Sequence, residues 1–236
     1  MFKNEKNKIW IVSIFSIAMA YLESVVIFYL RRMYFPSGFG FPLKKFLGPH
    51  ILPIEMVREF STIIMLVCVG YLASSSFKNR FAYFLLAFAT WDIFYYIWLR
   101  ILLKWPSSFQ TNDLLFLIPW PWVGPILAPL IASLTMILLS LDLLNSEKNL
   151  CRIEWFFFFF GSGLMVYTFL IDYGKLLLFK KKFNSFLAIS SKPELQKIIL
   201  NYKPGYYNWP LFIVSEIILL VGIYHFHQRS HEKKFF

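Results

Sequence analysis

The sequence predicts an all-α integral membrane protein: a bundle of about six transmembrane helices, with one broken or re-entrant segment over 113–125 and a short amphipathic surface helix over 192–202. Three observations carry that prediction. Hydrophobic residues make up 58% of the 236 positions and charged residues only 16%, whereas soluble domains carry roughly 25% charged residues. Apolar runs near the roughly 20 residues needed to cross the hydrocarbon region recur along the chain, and the mean hydropathy is +0.58. Aromatic residues reach 21%, with 28 Phe, more than one globular core uses. The whole chain, 1–236, reads as a single multi-pass domain.

The spans fall at 9–30, 51–74, 81–103, 114–144, 155–178 and 209–227. The first is too long for a signal-peptide core and has no small-residue cleavage site, so it is expected to remain as a helix. The links after spans two and four, "SSSFKNR" and "NSEKNLCR", are short and polar. Those after spans one, three and five are longer and richer in Pro, Gly and aromatics. An even number of spans puts both termini on one face (side B) and the long links on the other (side A). Span four, "LLFLIPWPWVGPILAPL" and onward, is too long for one straight crossing. Pro119, Pro121 and Pro125 remove amide donors and Gly124 weakens a helix further. Residues 113–123 are therefore expected either to form an interfacial or re-entrant segment before a crossing from 124, or to kink sharply, with Trp120 and Trp122 as interface anchors. In "SSKPELQKIIL", Ser191 and Glu194 form a capping box and Pro193 suits an early helical position. Leu195, Ile198, Ile199 and Tyr202 follow helical spacing, which predicts the surface helix.

The net charge of +11 does not point to nucleic acid, because the basic residues lie mainly in termini and links and form no recognisable binding motif. There they set topology and meet anionic head groups. Side B carries its Lys and Arg at higher density, so both termini are expected in the cytoplasm, with the protein in a plasma (inner) membrane. The bilayer is the first partner, with other membrane subunits a further expectation.

Charges inside the spans mark the candidate site. At a rise of about 1.5 Å per residue, Glu23, Glu55, Glu59, Asp172 and Glu216 fall roughly 6–12 Å below the side A end of their spans. Asp92 falls roughly 16–18 Å below it and Arg100 roughly 5 Å below it. Glu55 and Glu59 share one helix face, with Arg58 beside them. In "TWDIFYYIWLR", Tyr95 lies about one turn from Trp91 and Asp92 and is expected to face inward. Charge within a span is costly and faces the bundle interior. The acids outnumber the bases at this depth, so the surplus is protonated, hydrated or matched by a cation. Glu23, Glu55, Arg58, Glu59, Asp92, Tyr95, Arg100 and Glu216 are thus the predicted ligand-binding residues. The competing account is that the charges form ion pairs that neutralise one another.

Chemistry narrows the reading only partly. A metal, if present, would be a hard cation on carboxylates, with Glu23, Glu55, Glu59, Asp92 and His50 as candidate ligands. The remaining histidines, His225, His227 and His231, cluster at the other end and disfavour haem. Cys68 and Cys151 have no metal-thiolate or disulfide spacing, which disfavours a zinc-thiolate site. No G-x-S-x-G, phosphate loop or dinucleotide fingerprint occurs, and "GSG" at 161–163 reads as a helix-packing spot. What remains is an acidic intramembrane pocket near side A that binds or transports a cation, a proton or a small amphipathic ligand. The alternatives are a membrane-embedded enzyme acting on a lipid or isoprenoid with a carboxyl as general acid or base, and a non-catalytic subunit of a larger complex. The sequence assigns no catalytic residue and no cofactor.

Overall fold

The computed structural model describes residues 2–43, 51–179 and 200–231. Its elements are α1 (Phe2–Tyr34), α2 (Ile51–Ala73), α3 (Phe77–Leu103), β1 (Asn112–Phe116), β2 (Trp122–Pro125), α4 (Leu127–Asn145), α5 (Arg152–Phe179) and α6 (Trp209–His231). All six helices are long and apolar enough to cross a membrane. Ser76, in the short link after α2, caps α3 by accepting from the Asn79 amide at 3.3 Å. The predicted surface helix lies mostly outside the described residues, which resume at Leu200.

Lipid offers no hydrogen bonds and only a weak hydrophobic drive between helices, so close packing and polar ties hold the bundle. Both centre on α3. Its buried Ala82, Ala87 and Ala89 let neighbours approach. Ser24 of α1 donates to the Tyr95 carbonyl at 3.1 Å, and Ser140 of α4 donates to the Ala82 carbonyl at 2.7 Å. One core packs α1 and α2 against Tyr83, Leu86 and Trp91 of α3. A second joins Ala82 and Leu85 to α4, α5 and α6 through Leu139, Phe158, Phe169 and Phe212. Helices α5 and α6 close on each other at Gly161, where an added Cβ would come within 2.8 Å of Leu219. The "GSG" packing spot therefore rests on its first glycine, since Gly163 faces open space.

The two ends of the bundle differ. At one, Glu154 at the start of α5 is fully buried and takes two hydrogen bonds from Arg229 of α6, at 2.9 and 2.8 Å. Lys78 of α3 reaches the Ser146 carbonyl and Lys148 the Arg229 carbonyl, which ties the link after α4 to the start of α3 and the end of α6. The other end carries the longer links.

There residues 113–125 form a separate segment ahead of the α4 crossing, one of the two arrangements expected from the sequence, and not a sharply kinked span; what the sequence did not show is that the segment is paired strands. Asn112–Phe116 and Trp122–Pro125 form an antiparallel hairpin, in register Asp113 with Gly124 and Leu114 with Val123, with a bulge before Phe116. The crossing of α4 then starts at Leu127, close to the start at 124 expected for a broken span and well past the drawn span start at 114. Three prolines exclude a helical ladder here, but strand pairing satisfies the backbone between them. An isolated two-stranded ribbon is marginal, so docking supports it. The Ile126 and Leu127 amides bond the Thr111 and Phe109 carbonyls at 3.1 and 2.9 Å. Trp122, expected as an interface anchor, instead lies parallel to Phe169 with centroids 6.2 Å apart. At Gly124 a Cβ would meet the Phe169 ring at 2.9 Å, so only glycine lets β2 sit this close to α5.

A Cβ at Gly70 would fall 2.7 Å from the Arg80 carbonyl oxygen and 2.8 Å from the Phe84 nitrogen, both backbone atoms of α3. Gly70→Ala is expected to push α2 off α3 at a cost of about 1–3 kcal/mol. Gly163→Ala should be neutral or slightly stabilising. Thermal unfolding of the two variants in detergent checks this, and equal midpoints would contradict the packing described.

Candidate functional site: a cavity within the bundle with one charged end

A cavity of about 370 Å³ runs through the bundle beneath the hairpin. Its upper part lies among α1, α2, α3 and β1, and is lined by Glu23, Glu55, Arg58, Glu59, Asp92 and Tyr95, with Arg31 and Asp113 above them. Its lower part lies among α3, α4, α5 and α6. There the wall is apolar, formed by residues such as Leu85, Phe88, Leu139, Phe158 and Met165.

The charged end is built by helical spacing. Glu55, Arg58, Glu59 and Thr62 project from one face of α2, at i, i+3, i+4 and i+7. Arg58 sits between two carboxylates: it pairs with Glu23 of α1, and its Nε donates to Glu55 at 2.8 Å. Thr62 donates to the other oxygen of Glu23 at 2.7 Å. Glu59 accepts the Leu117 amide at 2.8 Å, which fastens the chain just beyond β1 to α2. Asp92 of α3 accepts from Ser133 of α4 at 2.8 Å. Glu59 and Asp92 each keep a second oxygen without a hydrogen bond among the described residues.

A second ion pair stands at the hairpin end. Arg31, from the last turn of α1, donates to Asp113 at 3.1 Å, and both side chains are buried. The Arg31 guanidinium also lies 3.7 Å from the Trp105 ring centroid and 4.2 Å from that of Phe39. The second Asp113 oxygen is buried and has no hydrogen-bond partner among the described residues. Burial pushes the Asp113 carboxyl above its ordinary range, and the neighbouring Arg31 pulls it back.

Six of the eight predicted ligand-binding residues therefore line one cavity: Glu23, Glu55, Arg58, Glu59, Asp92 and Tyr95. Tyr95 lies almost parallel to Trp91, with centroids 6.0 Å apart. The other two stand elsewhere. Arg100 is exposed and donates to the Lys104 and Pro106 carbonyls at 2.8 and 2.7 Å, finishing the C-terminus of α3. Glu216 accepts from Thr135 at 2.8 Å and lies behind the α4 wall, outside the lining. Asp172, read at the same depth, belongs to a separate cavity of about 300 Å³, where it accepts from the Tyr202 hydroxyl at 2.6 Å.

The carboxylate metal candidates are not gathered as a metal would gather them. Among the described residues no three of Glu23, Glu55, Glu59 and Asp92 bring ligand atoms within 4.8 Å of one another. Arg58, Thr62, Leu117 and Ser133 hold them apart. His50 lies outside the described residues. Sequence reasoning missed Arg31, Asp113, Thr62 and Ser133. Arg31 and Arg32 look alike at a span end, Asp113 sat outside the drawn span, and buried hydroxyls in apolar helices are too common to single out.

No protein-family model, curated protein or solved structure matches the chain.

Arg58→Met would leave Glu23 and Glu55 facing each other without their cation. The expected loss is about 3 kcal/mol, at the low end for a buried pair because 21% of the Arg58 side chain is exposed. The double variant Arg58→Met, Glu23→Gln should recover part of it. Thermal unfolding in detergent reads both, and an additive double variant would show that Arg58 and Glu23 do not interact.

Proposed function

We propose that the protein binds a small amphipathic molecule within the membrane. Its polar head would lie among the carboxylates and its chain in the apolar chamber. The observation that carries this reading is the continuity of the cavity, since a site for a bare cation or proton needs no apolar extension. The volume of about 370 Å³ falls at the small end of ligand sites, roughly 300–1,000 Å³. Five carboxyl groups and two guanidinium groups line it. Glu23 is fully engaged, Glu55 meets Arg58 and Asp113 meets Arg31, so Glu59 and Asp92 face the ligand without a full counter-ion. That balance favours a head that is cationic or rich in hydrogen-bond donors, such as an amine.

A second reading rests on Glu59 and Asp92 themselves. A carboxyl held by one hydrogen bond, with its other oxygen open to an apolar chamber, can give or take a proton at an otherwise unreactive substrate such as an isoprenoid. On that reading the same cavity would be an active site.

For orientation, we place both termini in the cytoplasm of a plasma-type membrane, on the density of Lys and Arg in the short links.

The binding proposal is tested by titrating the purified protein with single-chain amphiphiles of equal length bearing amine, hydroxyl or carboxylate heads. The amine should raise the unfolding temperature most. Asp92→Asn should weaken it by a factor of about ten, the equivalent of one charge-assisted hydrogen bond at roughly 1.5 kcal/mol. Equal responses to all three heads, or an unaltered Asp92→Asn, would defeat it.

A further inference from the structure

A second cluster of chemically capable side chains lies at the end of the bundle away from the charged wall. Near the C-terminus of α6, His227 and His231 are four residues apart and share one helix face, with ring centroids 4.3 Å apart. Both are exposed. Asp142, near the end of α4, reaches the same spot, its Oδ1 2.9 Å from Nδ1 of His227. Its other oxygen, Oδ2, is shut away from solvent and has no hydrogen-bond partner among the described residues. One ligand atom from each of the three residues lies within 4.8 Å of the other two.

We infer that Asp142, His227 and His231 form a site for a borderline divalent transition metal, such as Zn²⁺, Co²⁺ or Ni²⁺. Two imidazole nitrogens with one carboxylate oxygen suit these ions and leave positions for water. The Asp142 carboxylate is nearly buried, with its side chain 13% exposed, and one of its oxygens has no partner among the described residues. Such a carboxylate is costly to bury with one neutral partner, and a cation held between it and the two imidazoles would offset that cost. Spacing of i, i+4 on a helix lets both rings turn to one ion with no backbone movement. The bound ion would fasten α4 to α6.

A neighbouring trio, Cys151, Glu154 and His225, also lies within 4.8 Å but does not qualify. Both Glu154 oxygens are already taken, by Arg229 at 2.9 and 2.8 Å and by the Cys151 amide at 2.7 Å. A guanidinium occupies the place a cation would need. The trio serves instead as a built-in control.

The test is calorimetric titration of the full chain, purified without a histidine tag, with Zn²⁺ and separately with Co²⁺, whose visible absorption reports nitrogen–oxygen coordination. One ion per chain should bind. Asp142→Asn and His231→Ala should each weaken binding by about tenfold or more, while His225→Gln leaves it unchanged. His231 is exposed and its ring meets His227, itself an exposed residue, so its replacement should not disturb the fold, and an unaltered unfolding temperature without metal checks this. Absence of saturable binding overturns the inference. So does wild-type affinity in both variants, and so does a loss in His225→Gln equal to that in His231→Ala.

Discussion

The guanidinium of Arg58, held between Glu23 and Glu55, is the contact on which the charged wall depends. Helices α1 and α2 pack mainly through α3, and they meet directly at Glu23, which Arg58 pairs with and Thr62 hydrogen-bonds. Desolvation makes such a triad a poor source of net stability, so its value lies in position. It fixes the rotation of α2 about its axis, and the next two polar residues on that face follow. Glu59 then meets the Leu117 amide, and Thr62 turns back to Glu23. One arginine thereby sets where every acid on α2 points.

The hairpin gives the cavity its upper wall. A helix through 113–125 would need amides that three prolines do not supply. The paired strands instead present Asp113 to Arg31 while Leu117, just after β1, bonds Glu59. Docking of Trp122 and Gly124 on Phe169 fixes the hairpin to α5, a helix from the opposite half of the bundle. The lipid-facing halves of the molecule are thus joined across the polar site by residues that are themselves apolar.

The spans were legible because their signal, a sustained apolar run, is local and physically forced. The α2 wall was legible for a similar reason: charge placed inside a span has few affordable locations, so Glu55, Arg58, Glu59 and, on other helices, Glu23 and Asp92 point inward together. Arg100 misled because an arginine near a span end can face a cavity or finish its own helix equally well, and only the carbonyls of Lys104 and Pro106 decide. Glu216 lay at the right depth but the wrong azimuth, which a six-helix bundle does not reveal until its neighbours are known. The hairpin was missed because "LLFLI" carries no alternation of apolar and polar residues, the usual mark of a strand. Arg31 was missed because its partner is 82 positions away.

The placement of α3 at the centre of both cores bears on how the chain enters the bilayer. Helices emerge from the ribosome in order, and α1 and α2 arrive before the helix they pack upon. Glu23, Glu55, Arg58 and Thr62 all reside in that first pair, so its most costly charges find one another without waiting for later sequence. Asp92, Glu59 and Arg31 depend on Ser133, Leu117 and Asp113, which are synthesised afterwards. The polar site is thus divided along the chain: the first two helices hold one ion pair complete within themselves, and the site's remaining members have their partners in later sequence.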